Sequence, residues 1–207
     1  PDKVIVNSKQ FKKELDEKFN IKSYVIYNPL NTSTILERSK SKIKFNFYKK
    51  NCLKLISIGR LVNQKDQLTL LKAINILNIN ESRLLIIGNG TNEKMLKNYI
   101  DENKLKSKIK IIPFKKNPYK YLRLADVFLL SSKFEGLPNV VLEAQTLKKY
   151  IISTNCPTGP KEILMNGKAG DLVKVGDFKA IAKKIKFYKK NKKKLKIKIE
   201  IGFKELK

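Results

Sequence analysis

Short apolar segments alternate along the chain with longer amphipathic ones, and this alternation constrains the fold more than any other feature. The apolar segments predict strands at Val4–Val6, Tyr24–Tyr27, Leu53–Ile58, Leu84–Ile87, Ile109–Ile112, Val127–Leu130 and Tyr150–Ser153. Most are continuous hydrophobic runs, as expected of parallel strands that are covered on both faces. The chain is therefore predicted to be an α/β protein with a doubly wound, Rossmann-like parallel sheet.

Helical periodicity occupies the segments between these strands. Apolar residues recur at helical spacing in two stripes, Leu68-Leu71-Ile74-Leu77 and Met95-Leu96-Tyr99-Ile100. Each stripe predicts a helix that turns this face to the sheet. Asp177 is predicted to cap a later helix whose inward face carries Ile181, Ile185 and Tyr188. The lysine-rich segment 31–51 is predicted to form a helix and an exposed loop.

Composition excludes several kinds of site. The chain has no histidine, which excludes zinc-hydrolase sites, Ser-His-Asp triads and Cys-His pairs among these residues. Cys52 and Cys156 do not make a disulfide framework and indicate free thiols in a reducing compartment. No apolar run approaches the roughly 20 residues of a membrane-spanning helix. No secretory signal follows Pro1, and the missing initiator Met suggests a natural N-terminus upstream. A cytoplasmic location is expected.

The net charge of +28 invites a nucleic-acid interpretation, but the residue types argue against it. Only four of the 46 basic residues are arginine, the residue that nucleic-acid recognition favours for its bidentate fork. A solvated lysine surface explains the charge better than a specific nucleic-acid groove. The dense lysine run 183–198 is also consistent with peripheral contact with anionic lipid headgroups at the inner face of the plasma membrane.

Two cations follow the predicted strand Leu53–Ile58, which ends in Gly59-Arg60 with Lys65 five positions on. Ligands of open α/β sheets bind at the carboxyl ends of the strands. Cations beside a helix N-terminus suit a pyrophosphate at that place. Arg60 is one of few arginines, which favours a functional role, whereas Lys65 taken alone is also explained as a surface lysine.

Gly88-Asn89-Gly90 follows the strand Leu84–Ile87. It is not the dinucleotide-binding fingerprint, because Glu93 stands where a third glycine belongs. The two glycines either form only a tight turn or let a nucleoside approach the backbone. The residues themselves leave both interpretations open.

The stretch from Glu135 to Glu143 is the most informative part of the sequence. Pro138 suits the first turn of a helix, so that Glu135 precedes this helix and Glu143 lies within it. A helix N-terminus between two carboxylates fits a ligand with a central phosphate and hydroxyl groups at both ends. Backbone amides near Asn139 and Val140 would hold the phosphate. Spacing alone favours a plainer explanation, in which Glu135 complements the helix dipole and Glu143 is a surface residue.

The same stretch closely resembles the EGxPxxxxE motif of glycosyltransferase family 4, whose members are retaining enzymes of GT-B fold. Further landmarks occur in matching order along the chain: Gly59-Arg60 with Lys65, Gly88-Asn89-Gly90, Ala125-Asp126 and the loop 158–163. The loop 156–160 resembles members that build bacterial surface glycans, such as lipopolysaccharide or capsule.

The resemblance implies two domains. Residues 1–28 look like a remnant of the family's N-terminal acceptor domain with its hinge, where Pro29 breaks regular structure by disfavouring α at Asn28. Residues 29–207 look like the nucleotide-sugar-binding C-terminal half of a GT-B glycosyltransferase, with basic C-terminal helices. Such a fragment is expected to bind the donor and to transfer little.

The resemblance also implies a role for each site residue. Arg60 and Lys65 would bind the donor pyrophosphate, Glu135 would orient the transferred sugar, and Glu143 would hold the ribose. The remaining donor contacts would come from the base-flanking residues Gly88, Asn89 and Phe114, and from Gly59, Gly136, Leu137, Pro138, Asn139 and Val140. Arg60, Lys65 and Glu135 are the candidate catalytic residues.

The predicted reaction needs no cofactor and no metal, because the sequence has no Asp-x-Asp pair and fixed cations can meet the charge of the leaving diphosphate. The partners expected are a nucleotide sugar, with UDP-sugar favoured, and a glycan or lipid-linked acceptor. Two other functions stay open: a GT-B sugar-nucleotide epimerase, and a basic module that binds nucleic acid or membrane.

Overall fold

The computed structural model describes residues 3–77 and 82–206, and Pro1, Asp2, residues 78–81 and Lys207 lie outside this described part. The first residue of the predicted domain 1–28 and the last residue of the predicted domain 29–207 are therefore among those outside it. The described strands are β1 (Val4–Val6), β2 (Ser23–Val25), β3 (Leu53–Ile58), β4 (Ser82–Ile87), β5 (Ile109–Ile112), β6 (Val127–Leu130), β7 (Tyr150–Thr154) and β8 (Asp171–Val173). Sequence analysis placed β2 too late and β4 too short, and it missed β8, whose three residues begin with an aspartate.

The predicted doubly wound sheet is confirmed. Six strands lie in the order β5-β4-β3-β6-β7-β8, and every neighbouring pair is parallel. The chain starts this sheet in the middle at β3, builds outward to β5, and returns to the other side of β3 with β6. The strand order therefore reverses between β3 and β6, which is the place where open α/β sheets bind ligands.

Both faces of this sheet are buried, and each strand divides its side chains between them. Leu55 and Leu84 belong to one apolar cluster, whereas their neighbours Ile56 and Leu85 belong to the other. Because side chains alternate between the faces, a strand covered on both needs an unbroken apolar sequence. Full burial of each such side chain contributes roughly 1.5–3 kcal/mol.

The described helices are α1 (Lys9–Lys18), α2 (Thr32–Ser39), α3 (Gln67–Asn75), α4 (Glu93–Glu102), α5 (Tyr119–Leu124), α6 (Asn139–Thr146), α7 (Pro160–Ile163) and α8 (Phe178–Lys204). Helices α2 to α8 cover the two faces of the six-stranded sheet. Residues of α3, α4 and α8 join one apolar cluster, and residues of α2, α5, α6 and α7 join the other. The predicted stripes lie on α3 and α4, with two differences: Leu77 is buried beyond the end of α3, and Met95 is 41% exposed at the edge of its stripe.

Asp177 caps α8 as predicted, since its Oδ1 accepts a hydrogen bond from the Ala180 amide at 2.8 Å. The predicted inward residues Ile181, Ile185 and Tyr188 are buried. The helix runs for 27 residues and is interrupted at Asn191, where φ is −124°. The basic C-terminal helices expected from the sequence are thus one long helix with a kink.

The segment after α2 is less exposed than predicted. Phe45 stacks edge-on against Tyr121 of α5, with ring centroids 5.3 Å apart. The Tyr48 hydroxyl donates a hydrogen bond of 2.6 Å to the carbonyl of Leu55 in β3. Aromatic residues in this segment therefore cover one face of the sheet, although lysines dominate its sequence.

Residues 4–25 form a separate β1-α1-β2 unit, whose two strands pair in parallel outside the large sheet. Glu162 at α7 connects this unit to the rest of the chain. Its carboxylate accepts hydrogen bonds from the Lys9 amide at 3.0 Å and from the Tyr27 hydroxyl at 2.5 Å. We call these contacts the Glu162 bridge. The assignment of residues 1–28 to an acceptor domain stays a prediction.

Candidate functional site

A pocket of about 580 Å³ opens at the point where the strand order reverses. Its walls come from the ends of β3 and β6, the start of α6, and the loop before α5. The lining residues are Asn28, Ile58, Gly59, Arg60, Gln64, Lys65, Phe114, Lys115, Lys116, Pro118, Tyr119, Glu135, Leu137, Pro138, Asn139, Val140 and Glu143. The fold therefore brings together segments that are more than 100 residues apart in the chain.

Most of the predicted site residues line this pocket. All three candidate catalytic residues are there, and so are the predicted donor contacts Gly59, Phe114, Leu137, Pro138, Asn139, Val140 and Glu143. Gly88, Asn89 and Gly136 lie outside the lining. The roles assigned to these residues stay predictions, because a common location does not establish what each one binds.

Lys65 and Glu135 form an ion pair at the base of the pocket. The Lys65 Nζ lies 2.6 Å from the Glu135 Oε1, and the two side chains are only 16% and 6% exposed. The Ser132 hydroxyl donates a second hydrogen bond to the same carboxylate oxygen. A phosphate near Lys65 and a sugar hydroxyl near Glu135 would therefore lie side by side, as they do in a sugar phosphate.

Hydrogen bonds to other segments of the chain hold the loop that carries Glu135. The Ser131 hydroxyl donates to the Lys65 carbonyl at 2.8 Å, and the Thr154 hydroxyl donates to the Ser132 carbonyl at 2.7 Å. Gly159 packs against the Gly136 carbonyl with a φ of +78°, a close approach that a Cβ would prevent. Residues just after β6, at the end of β7 and at the N-cap of α7 thus hold Glu135 in place beside Lys65.

Arg60 is arranged differently from Lys65. Its side chain is exposed at the mouth of the pocket, and its carbonyl accepts a hydrogen bond of 2.8 Å from Gln67 in the first turn of α3. This bond fixes the backbone of Arg60, which lines the pocket. A guanidinium in this position can make paired hydrogen bonds to a phosphate.

Glu143 lies in α6 on the opposite wall and accepts a hydrogen bond of 3.2 Å from the Tyr119 hydroxyl. Arg38 of α2 stacks over the Tyr119 ring, 5.3 Å from its centroid. Burial raises the pKa of Glu143, while the Tyr119 hydroxyl and the Arg38 charge oppose that shift. Burial, followed by the neighbouring Glu143, raises the pKa of Tyr119 as well.

Asn89 and Gly88 do not line the pocket, but they position segments that do. The Asn89 side chain accepts a hydrogen bond of 2.5 Å from the Phe114 amide, so it fixes the loop that presents Phe114. The Phe114 ring is 69% exposed and free to stack on a planar group. A Cβ at Gly88 would collide with the Gly59 carbonyl, so glycine lets the ends of β3 and β4 approach each other. This packing gives a structural reason for glycine at position 88, and the approach of a nucleoside to its backbone stays a prediction.

The start of α6 offers backbone N–H groups to the pocket. Pro138 is the N-cap of this helix rather than a residue of its first turn, and no side chain of the N-cap bonds the helix amides. Asn139 and Val140 are the first helical residues, and both line the pocket. The positive end of the helix therefore points at the space between Lys65 and Glu143.

Sequence analysis missed several residues of this site. Tyr119, Ser132 and Gln64 carried no motif, and their roles appear only once the strands are placed side by side. Asn28 was noted for the break before Pro29, yet its side chain donates a hydrogen bond of 2.9 Å to the Asn139 side chain. Pro118, which precedes the short helix α5, is the local feature of the sequence that could have indicated a turn in this wall of the pocket.

Within the described residues, no helix is long and apolar enough to cross a membrane. The same part of the chain contains no group of three or more His, Cys, Asp or Glu residues arranged to hold a metal ion.

The sequence profile of the family described as "Glycosyl transferases group 1" matches residues 38–205. An uncharacterized glycosyltransferase of Methanocaldococcus jannaschii is 31% identical over 170 residues, which cover 79% of this chain and 42% of that protein. The N-acetylgalactosamine-N,N'-diacetylbacillosaminyl-diphospho-undecaprenol 4-alpha-N-acetylgalactosaminyltransferase of Campylobacter jejuni is 30% identical over 181 residues, or 84% of this chain and 47% of that enzyme. The chain thus spans less than half the length of these relatives.

Solved structures share the fold. The Anabaena HepE protein in complex with UDP superposes with a TM-score of 0.85 at 18% identity, and the match covers 99% of this chain and 58% of that one. A glycosyltransferase of Rickettsia africae superposes with a TM-score of 0.83 at 21% identity over the same shares of both chains. At these identities the likeness concerns the fold alone.

Proposed function

This chain belongs to the glycosyl transferases group 1 family, and on that premise we propose that it is the donor-binding half of an enzyme that transfers a sugar from a nucleotide-diphosphate sugar to a glycan or lipid-linked acceptor. The single observation that carries this proposal is the pocket that gathers Arg60, Lys65, Glu135, Glu143 and the start of α6 at the switch point of the sheet. UDP is the favoured nucleotide, since the structural relative HepE is a complex with UDP.

The arrangement suggests how the donor lies. The diphosphate would be held by Arg60, Lys65 and the N–H groups at the start of α6, because all three bring positive charge to one place. The ribose hydroxyls would donate to Glu143 and the sugar hydroxyls to Glu135. The base would stack on Phe114, whose exposed ring lies across the pocket.

The same groups would assist the reaction. When the bond between the anomeric carbon and the diphosphate oxygen breaks, negative charge grows on the leaving diphosphate. Lys65 is held in place by Glu135 before the reaction, and together with Arg60 and the helix N-terminus it would stabilise this charge. Glu135 would orient the sugar during the transfer. Membership of glycosyltransferase family 4 and retention of the anomeric configuration are further parts of the proposal.

Metal-independent transfer also belongs to the proposal. It is supported by the fixed cations, which can do the work of a metal at the diphosphate. The activity of the complete enzyme is expected to survive EDTA, measured as sugar transfer with and without the chelator. Strict dependence on manganese would contradict the metal-independent mechanism.

Donor binding can be tested on the chain itself by calorimetry with UDP, GDP and ADP. Arg60→Ala is expected to weaken UDP binding by about 10- to 100-fold, because a charged hydrogen bond to phosphate is lost. Arg123→Ala is the matched control, since Arg123 is an exposed arginine that does not line the pocket. Failure of all three nucleotides to bind, or equal effects of both variants, would contradict the donor site.

Two other functions make different predictions. A sugar-nucleotide epimerase would release epimerised or free sugar from UDP-sugars without any acceptor. A basic binding module would lose affinity steeply with salt, show no preference for a diphosphate, and tolerate Arg60→Ala.

The acceptor and the location of the protein are further parts of the proposal. The acceptor is proposed to be a glycan or a lipid-linked glycan of a bacterial surface polysaccharide, because the C. jejuni relative is named for a diphospho-undecaprenol substrate. The protein is proposed to act in the cytoplasm in peripheral contact with an anionic membrane, and no specific nucleic acid is expected.

A further inference from the structure

Helix α8 has a charge distribution unlike that of the rest of the chain. Its 27 residues include twelve lysines and a single carboxylate, Glu200, whereas the whole chain has 46 basic and 18 acidic residues. The excess of lysine is therefore several times greater in this helix than elsewhere, and general lysine richness does not account for it.

Part of this charge serves the fold. Lys198 and Lys184 pair with the buried Asp171, at 2.6 Å and 3.4 Å. Lys192 lies 3.9 Å from Asp126, and Glu200 lies 3.6 Å from Lys148. These lysines and the apolar inner face of the helix hold α8 against the sheet.

The opposite side of the helix has no such role. Lys183, Phe187 and Lys190 lie at spacings of four and three before the kink at Asn191, and Lys194 and Ile197 lie three apart after it. All five residues are exposed. We call these residues the outer stripe. Phe187 is 43% exposed and Ile197 is 65% exposed. In the part of the chain that the structure describes, no carboxylate lies within 4.0 Å of Lys183, Lys190 or Lys194.

This combination fits an anionic bilayer better than a nucleic acid. Lysines at the headgroup level attract anionic lipids, and apolar side chains between them can enter the acyl boundary. Nucleic-acid recognition favours the arginine fork, and α8 contains no arginine. An exposed isoleucine also gains nothing on a phosphate backbone, whereas it gains burial in a lipid surface.

We propose that the outer stripe of α8 docks the protein onto an anionic bilayer, with Lys183, Lys190 and Lys194 at the headgroups and Phe187 and Ile197 inserted below them. The proposal names the surface for the membrane contact put forward above, and it does not depend on what the donor pocket binds.

The test is co-sedimentation of the chain with phosphatidylcholine vesicles that contain either no anionic lipid or about 30% phosphatidylglycerol. Binding is expected only with the anionic vesicles, and it should weaken with salt. The triple variant Lys183→Gln, Lys190→Gln, Lys194→Gln is expected to lower the affinity about 100-fold, since each lysine near the surface contributes roughly fivefold. Phe187→Ser with Ile197→Ser should lower it about tenfold at physiological salt.

The matched control is Lys42→Gln, Lys44→Gln, Lys49→Gln, which removes the same charge from exposed lysines far along the sequence from α8. It should change the affinity less than about threefold, because these lysines are not on the outer stripe. Equal losses in both triple variants, or equal binding to neutral vesicles, would overturn the proposal. So would a stripe variant that loses affinity for duplex DNA or RNA while vesicle binding is unchanged.

UDP calorimetry on the same variants keeps the two proposals separate. Retained UDP binding shows that a variant is folded and that its lipid defect is local. Vesicle binding by a chain that fails to bind UDP would leave the membrane surface standing and contradict the donor site.

Discussion

Glu135 and Glu143, the two carboxylates that line the pocket, differ in their hydrogen-bond partners, and this difference affects what each can bind. Glu135 is paired with a lysine and bonded by Ser132, so its charge is locally compensated. Glu143 has a neutral tyrosine as its hydrogen-bond donor, and the nearest cation, Arg38, lies behind that tyrosine. Glu143 therefore keeps more of its capacity to accept hydrogen bonds from a ligand.

Tyr119 is expected to position Glu143 for the ribose. Tyr119→Phe removes the hydroxyl that holds the carboxylate and is expected to weaken UDP binding about fivefold, the effect of one ordinary hydrogen bond. The same change removes an influence that lowers the pKa of Glu143, so the loss of UDP affinity on acidification should begin at a higher pH in the variant. Calorimetry over a series of pH values measures both effects.

Tyr121→Phe is the control for that experiment, because Tyr121 lies on the same helix but packs against Phe45 away from the pocket. It should leave the pH dependence of UDP binding unchanged. If Tyr119→Phe and Tyr121→Phe behave alike, Tyr119 has no specific role at Glu143.

At the scale of elements, α8 is attached to the edge of the sheet by charge as well as by apolar packing. Asp171 of β8 is only 5% exposed and lies between two lysines of α8. Burial by itself raises the pKa of Asp171, but the hydrogen bond from Lys198 and the lysine charges lower it below its ordinary value overall. A short strand that the sequence did not predict is thus held in the sheet by this arrangement.

Lys198→Met is expected to destabilise the chain by about 2 kcal/mol at pH 7, because a buried carboxylate loses its closest partner while Lys184 remains. The lowered pKa means that this stabilisation is present above the unfolded pKa of about 4 and is lost as the pH falls through the folded value. The difference between variant and wild type should therefore shrink in acid. Urea unfolding at several pH values measures it.

Lys186→Met serves as the control on the same helix, since Lys186 is exposed. Its free energy of unfolding should stay within about 0.5 kcal/mol of wild type. A similar loss in both variants would show that lysine charge in general, rather than the pair with Asp171, stabilises α8.

At the scale of the whole molecule, the β1-α1-β2 unit depends on the rest of the chain. A two-stranded sheet with one helix is marginally stable alone, and its strands are three residues long. The Glu162 bridge connects both ends of the unit, the start of α1 and the residues after β2, to α7. Burial, followed by the adjacent Glu162, raises the pKa of Tyr27 to about 12, so its hydroxyl stays a donor at neutral pH.

Glu162→Gln is expected to loosen this unit, because an amide cannot accept both hydrogen bonds as the carboxylate does. Amides of residues 3–25 should exchange with solvent roughly tenfold faster, which corresponds to about 1.4 kcal/mol, while those of β3, β4 and β6 keep their protection. Hydrogen exchange followed by mass spectrometry compares the two regions in one sample. Glu37→Gln, on an exposed carboxylate, should change neither; uniform acceleration in Glu162→Gln would mean that the bridge acts on global stability instead.

Local pattern was enough to predict the sheet and many of the residues that line the pocket, but not the contacts between them. Runs such as Val127–Leu130 are typical of strands covered on both faces, and the carboxyl end of a parallel strand is a known place for ligands. The pairing of Lys65 with Glu135 requires β3 beside β6, a neighbour relation that no local spacing encodes. Tyr119 and Glu143 likewise meet only after α5 and α6 pack on the same face.

The Lys65–Glu135 pair also bears on selectivity and turnover. Because Lys65 and Glu135 neutralise each other, Lys65 attracts free inorganic phosphate only weakly, and an uncharged sugar finds Glu135 already bonded to Lys65. Only a molecule that offers an anion and hydroxyl donors at adjacent positions can replace both halves of the pair at once. Under the proposed function, UDP without its sugar would lack the hydroxyl donors for Glu135, so re-formation of the Lys65–Glu135 pair would favour its release.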